Sequence, residues 1–397
     1  MIPPFVRELM EQLNEHGFEC YVVGGAVRSA LLNLPVHDYD LTTNALPQQM
    51  KEVFRNRRTL ETGIRHGTLT VLVKGEPVEI TTYRTESSYG DHRHPDHVEF
   101  TSALRQDCAR RDFTVNALCA SMDGTVHDFF GGTDDLKRKI IRCIGSPDER
   151  FDEDALRILR ALRFAARLGF AIEPETAAAL HRSKELLKYI SAERIHEELN
   201  GFFAAPSCAE YLMEFRDIFE VFIPELRNLS DEQYETMLAS EKRSGEYPLI
   251  RTALLLRLCE NPESILKRLK YSGTEIKTVL TLISGTERPL QDEKDLCRVI
   301  RDYPDTAVLF IGYRCALDPS LNIDSLLAEY RQLTENGACC SVKQLAVNGN
   351  DLKNAGLAGR QIADMLNEML EEVIEKRLKN SRPDLLGYIG SHKNDGA

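Results

Sequence analysis

The rhythm of apolar and polar positions changes once along the chain, near residue 145. Before that point, strand and helix signals alternate. Apolar positions return at helical spacing up to about His16, and Cys20 to Val23 then form an apolar run stopped by Gly24-Gly25, a strand entering a glycine turn. Residues 26–32 read as a short helix, and beyond Pro35 the segment 37–42 alternates as a second strand. Two β-rich runs, 68–73 and 78–83, flank Lys74-Gly75-Glu76-Pro77 with the spacing of a hairpin. Between Arg84 and Phe100 the chain is polar and lacks an apolar period, which predicts an exposed loop. Its histidines, His92, His94 and His97, have no further ligand spacing around them, so a solvated loop is favoured over a metal site. After Gly145-Ser146-Pro147 the helical period runs almost unbroken to about Arg377, through pieces such as 154–168, 174–183 and 192–203. No convincing strand follows. The expected class is α+β: an α/β head followed by an all-helical remainder.

Composition narrows the class without changing this picture. At roughly 150 residues per domain, 397 residues suggest two to four structural units. With 42% hydrophobic and 28% charged residues, 24 Gly and 16 Pro, collagenous, low-complexity and largely disordered classes are excluded. Fifty Lys plus Arg against 62 Asp plus Glu leave a net charge of -12, so any polyanion must be met by local basic patches. The ten cysteines include no C-x-x-C pair and fit reduced, buried thiols. No long apolar leader or membrane-length run is present, and a cytoplasmic protein is expected.

Several short segments carry chemistry. On a strand, Asp38 and Asp40 of Asp38-Tyr39-Asp40 would project to one side, and two such close carboxylates call for a cation. A hard ion such as Mg²⁺ on the pair suits phosphoryl or nucleotidyl transfer, although D-x-D alone more often marks an exposed strand or turn. Gly24-Gly25 and Arg28 could cradle phosphate without a Walker A sequence, or form a plain structural turn. Glu79 would add a third carboxylate if its strand neighbours that of the aspartates. In Arg110-Arg111-Asp112-Phe113-Thr114-Val115-Asn116, Arg111 is a candidate phosphate or base contact, with Asp112 and Asn116 as sugar partners. A salt-bridged helix start is the alternative. The segment 128–136 reads as a loop closing the head, its glycines serving backbone geometry.

From Glu153 to Arg167, helical spacing gathers Asp154, Arg157, Arg160, Arg163 and Arg167 on one half of a helix, a basic stripe facing away from the core. Asp154 and Arg157, at i and i+3, place an acceptor beside a donor. Cytosine and adenine both offer an exocyclic amino donor beside a ring-nitrogen acceptor. One fixed Asp-Arg pair therefore suits both and mispairs with uracil and guanine. An ordinary helix ion pair with a solvated face remains open on these residues alone.

In order and spacing, Gly24-Gly25-Ala26-Val27-Arg28, Asp38-Tyr39-Asp40, Arg111-Asp112 with Asn116, and Glu153-Asp154-Ala155-Leu156-Arg157 resemble the class II tRNA nucleotidyltransferases, or CCA-adding enzymes, and the related bacterial poly(A) polymerases. The resemblance is strong over about residues 18–205, and Val347-Asn348-Gly349-Asn350-Asp351-Leu352 is similar to the body and tail of the bacterial group. It implies a seahorse-like nucleotidyltransferase-type chain: catalytic head 1–145, helical neck 146–205 with the base template, helical body 206–300, and tRNA-binding tail 301–397. It also implies catalytic Asp38 and Asp40 ligating Mg²⁺, and CTP or ATP held by Gly25, Arg28, Arg111, Asp154, Arg157, Arg160 and Arg163. The expected reaction adds C, C and A to the tRNA 3′ end. The partners are tRNA, CTP and ATP, with no membrane and with a homodimer left open. In this family the loop equivalent to 84–96 is associated with the switch from C to A, and its presence argues against a CC-only enzyme. Ser29 departs from the acidic residue usual after G-G-x-V-R, which bears on how Arg28 is oriented. An A-only tRNA enzyme and a poly(A) polymerase share the head motifs. A non-catalytic RNA-binding module conflicts with the intact aspartates, and a His-Asp phosphohydrolase on His37-Asp38 or His127-Asp128 lacks further ligands.

Overall fold

The computed structural model describes residues 2–36, 38–87 and 97–394. His37, His92 and His94, and the side chain of His97, lie outside what is described. The chain forms two compact units, Met1–Leu229 with Arg268–Lys270, and Ser230–Lys267 with Tyr271–Ala397.

In the first unit, α1 (Pro4–Glu15) starts on Pro4, whose fixed φ suits a first helical position, and buries Val6, Leu9, Met10 and Leu13 as one stripe. There follow β1 (Cys20–Val23), α2 (Gly25–Leu31), β2 (Asp40–Thr43), α3 (Pro47–Val53), β3 (Thr59–Leu60), β4 (Thr68–Val73) and β5 (Glu76–Thr82). Next come β6 (Arg84–Ser87), β7 (His97–Phe100), α4 (Leu104–Ala109), β8 (Cys119–Ala120), β9 (Val126–His127) and α5 (Gly132–Arg138). One seven-stranded sheet has the order β3-β4-β5-β2-β1-β8-β9. Its strands pair antiparallel except β2 and β5, which run parallel with Asp40 opposite Glu79. Val23, Tyr83, Leu104, Cys108, Ala117, Cys119 and Ile144 form a buried cluster against this sheet.

Five local expectations change. The second strand begins at Asp40, so Asp38 and Tyr39 precede it rather than alternate within it. The hairpin is tighter than expected: Lys74 and Gly75 both take positive φ, a two-residue turn that lets pairing start at Glu76. The segment expected as loop from 84 to 100 has paired ends, β6 against β7. A ribbon of two four-residue strands is too short to announce itself by apolar alternation. The expected helix 154–168 breaks at Asp154, between α6 (Pro147–Glu153) and α7 (Leu156–Leu168). Asp154 is extended there, and its carboxylate accepts from the Leu156 N–H at 3.1 Å, a local bond that competes with helix continuation. After α7 comes a short strand, β11 (Ala171–Ile172), parallel to β10 (Ile140–Ile141); two residues are too few to show a period. Then follow α8 (Pro174–Ser183), α9 (Ala192–Phe203), α10 (Cys208–Glu214) and α11 (Arg216–Phe222).

The second unit is helical among its described residues, opening with α12 (Asp231–Arg243) and α13 (Pro248–Leu256). Side-chain caps set several starts. Ser230 with Gln233, Ser272 with Glu275, and Asn348 with Asp351 form reciprocal capping boxes, which gives the Asn348 segment a structural role. All ten cysteines are free, and all but Cys339 are buried. No helix among the described residues is long and apolar enough to cross a membrane.

Candidate active site

A cleft of about 560 Å³ in the first unit collects the residues singled out in the sequence. Its lining includes Gly25, Arg28, Asp38, Asp40, Arg111, Asp154, Arg157, Arg160 and Arg163, from α2, the start of β2, the segment after α4, and the α6–α7 turn and α7. Positions far apart in the chain thus face one space. The glycine turn explains part of this: Gly24 has φ 66°, and a Cβ there would lie 3.4 Å from Nη1 of Arg111.

Asp38 and Asp40 are both exposed to the cleft. The β2–β5 pairing makes Glu79 a neighbour of Asp40, so the strand adjacency on which a third carboxylate depends is present. Desolvation by the surrounding walls, followed by Glu79, raises the pKa of Asp40; Arg111 opposes this and Asp38 adds to it. A carboxylate crowded by others in this way is eased by a cation, and hard oxygen donors suit a divalent ion. Among the described residues, no three His, Cys, Asp or Glu side chains converge as a metal site. The residues present fit a cation held by the two aspartates, and Glu79 neighbours Asp40 alone.

The basic side chains form an ordered network. Arg28 is buried, and its Nη1 donates to Oδ1 of Asn116, whose Nδ2 donates to Oδ1 of Asp112 at 3.0 Å. The other oxygen of Asp112 accepts from Nε and Nη2 of Arg160 at 2.9 and 2.8 Å. Burial works against the Asp112 carboxylate, yet Arg160 and Asn116 outweigh it and hold its pKa below the ordinary value. Burial, only partly offset by Asp112, lowers Arg28 to about 10, with Arg167, Arg163 and Arg160 adding to the drop. Asn116 accepts from Arg28 directly, a hold on Arg28 that does not involve position 29. Arg111 and Arg110 both reach Asp107, which is fully buried.

The basic stripe is not the solvated face left open as an alternative. Arg157 is buried, while Arg160 and Arg163 sit half-buried along the cleft; only Arg167 is exposed. Carboxylates make this affordable in a low-dielectric setting. Arg157 donates to Glu153 at 2.6 Å and to the carbonyls of Arg150 and Arg110 at 3.2 and 3.1 Å. Arg163 donates to Glu198 at 2.6 Å, and Arg160 lies 3.5 Å from the same carboxylate. Asp154 is gripped by Arg194, whose Nη1 and Nη2 donate to its two oxygens at 3.2 and 2.9 Å. Sequence reasoning missed Arg194, Glu198, Asp107 and Phe164. The first two sit at i and i+4 on α9 and look like any charged helix face, with no signal of the residues they would meet. Asp128 is also settled as structural: it accepts from the N–H groups of Phe130, Gly132 and Thr133, which occupies it in shaping the loop before α5.

Three family profiles match the chain: "Poly A polymerase head domain" over residues 20–142, "Probable RNA and SrmB- binding site of polymerase A" over 169–229, and "tRNA nucleotidyltransferase domain 2 putative" over 249–389. The fold and the cleft therefore belong to a nucleotidyltransferase. A CCA-adding enzyme of Lacticaseibacillus paracasei is 36% identical over 95% of this chain and 94% of the relative. A CCA-adding enzyme of Limosilactobacillus fermentum is 36% identical over 97% of this chain and 96% of the relative. The solved structure of the Bacillus stearothermophilus CCA-adding enzyme in complex with CTP is similar at a TM-score of 0.83 and 28% identity, covering 100% of this chain and 99% of that one. The chain belongs to the CCA-adding enzymes, a family of tRNA nucleotidyltransferases.

Proposed function

We propose that this chain adds C, C and A in turn to the 3′ end of tRNA, taking CTP and ATP and releasing pyrophosphate. The observation that carries this reading is the cleft itself, which is lined together by Asp38 and Asp40, by Arg28, Arg111, Arg160 and Arg163, and by Asp154 and Arg157. Asp38 and Asp40 are the catalytic residues and would hold the divalent ion, Mg²⁺ in our reading. When bound, that ion would lower the pKa of the attacking 3′-hydroxyl and neutralise charge on the leaving pyrophosphate. Arg28, Arg111, Arg160 and Arg163 bind the phosphates and fix the line of attack, and Gly25 leaves room for their approach. Asp154 accepts from the exocyclic amino group of cytosine or adenine while Arg157 donates to the ring nitrogen, a pattern that uracil and guanine cannot satisfy. Because each of the two is held by a separate partner, the pair is set before the base arrives. Residues 1–145 serve as the catalytic head, 146–205 as the neck carrying the template, 206–300 as the body, and 301–397 as a tail that binds tRNA. The reading places the enzyme in the cytoplasm, and a homodimer is compatible with it.

Asp38→Asn and Asp40→Asn test the catalytic assignment. Each is expected to lower single-turnover incorporation by at least about a thousandfold, with the fold retained by circular dichroism. Near-normal turnover in a folded variant would remove the aspartates from the mechanism.

A further inference from the structure

Phe164 lies beneath three guanidinium groups in the cleft, and no ligand chemistry has been assigned to it. The residue is buried, yet its ring lines the cleft. Three guanidinium carbons lie over that ring: Arg163 at 4.3 Å from the centroid, Arg28 at 5.0 Å and Arg160 at 5.3 Å. They come from two sides. Arg160 and Arg163 precede Phe164 on α7, whereas Arg28 reaches across from α2. The ring is itself seated edge-to-face on Phe113, which is fully buried, with centroids 6.0 Å apart.

Like charges so arranged repel, and hydrogen bonding offsets the repulsion unevenly. Asp112 and Glu198 hold Arg160, and Glu198 holds Arg163. The stem of Arg163 is further confined by α9, because a Cβ on Gly201 would come within 2.5 Å of its Cδ. Arg28 has the neutral Asn116 as its side-chain acceptor, and its buried Nε has no hydrogen-bond partner. An aromatic face presents negative quadrupole density and attracts a guanidinium without consuming its N–H donors. An aliphatic side chain of the same volume would fill the space but leave the repulsion unrelieved.

We propose that Phe164 is a positioning residue for the triphosphate of the incoming nucleotide, its ring gathering Arg28, Arg160 and Arg163 into one anion-binding cluster without itself occupying their N–H donors. The proposal rests on the cleft being the nucleotide site. It places Phe164 on the phosphates and not on the base, so loss of the ring weakens CTP, ATP and a bare polyphosphate alike.

The test uses the full chain with Phe164→Leu and Phe164→Met, both apolar and non-aromatic, and with Phe164→Tyr, which keeps the ring. Calorimetric titration with inorganic tripolyphosphate, CTP and ATP gives binding, and extension of tRNA transcripts gives kcat and KM. Leu and Met are expected to weaken all three ligands by about tenfold, raising KM with kcat within about twofold, while Tyr stays close to the parent. Parent-like tripolyphosphate binding by the folded Leu or Met variant overturns the proposal. So does a loss confined to CTP and ATP, or a Tyr variant as weak as Leu. If the parent binds tripolyphosphate and the Leu variant loses it, but neither adds C or A to tRNA, the reaction reading falls and the role of Phe164 stands.

Discussion

Arg194 gives the most direct handle on base selection, because it touches Asp154 with both arms of its fork. Arg194→Met keeps the apolar stem and removes the two hydrogen bonds at 3.2 and 2.9 Å. A hydrogen bond to a charged group contributes about 1.5–3 kcal/mol net where water is excluded. The pair is only partly enclosed, with side chains 22% and 18% exposed, so solvent screening brings the loss for the fork as a whole to about 1.5–2 kcal/mol. At about 1.4 kcal/mol per factor of ten, this predicts a ten- to thirtyfold narrowing of base discrimination. The assay compares kcat/KM for ATP and GTP on a transcript ending in CC, and for CTP and UTP on one ending in C. The correct nucleotides should lose most of that factor, with GTP and UTP little changed. A folded Arg194→Met enzyme with parental ATP/GTP and CTP/UTP ratios would refute the idea that Arg194 fixes the Asp154 carboxylate for reading bases.

Two further predictions concern stability. Arg160 and Asn116 hold Asp112 below its unfolded pKa, so its contribution is complete above about pH 4 and is lost as pH falls through the folded value; Asp112→Asn should flatten this acid limb in urea titrations, and an unchanged limb would contradict it. Glu241, on α12, is fully buried with neither carboxylate oxygen hydrogen-bonded and the Arg251 guanidinium on α13 3.9 Å away. Desolvation raises its pKa well above the usual value, against Arg251 and Arg257, so its contribution is complete below about pH 4.3 and is lost as pH rises through the folded value. Glu241→Gln should therefore be more stable than the parent at pH 8 and no more stable at pH 4; lower stability at pH 8 would count against a neutral Glu241.

The head's main strands and the helical remainder were legible because long apolar runs and helical periods extend over many residues. The start of β2, the break at Asp154 and the β10–β11 pair were not. Each depends on one side chain or on two residues finding a partner, which leaves no period to read. The site residues were legible as a set, since their spacing carries a family resemblance, and the cleft collects them. What held them was hidden: Arg194 and Glu198 sit in an ordinary charged helix, and their roles appear only when α9 packs beside α7. The solvated-face alternative for the basic stripe stayed open for the same reason, because a charged face reads as solvated until its carboxylates are known.

The central claim is tested most directly by incubating the purified chain and Mg²⁺ with tRNA transcripts ending before CCA, after C and after CC, with each nucleotide separately and with CTP and ATP together. Product sizes are resolved to one nucleotide. The account predicts that all three transcripts are completed to CCA and then stop, with UTP and GTP unused. Extension of the CC end alone, an adenosine ladder, or no incorporation would contradict it, pointing respectively to an A-adding enzyme, a poly(A) polymerase and a binding module.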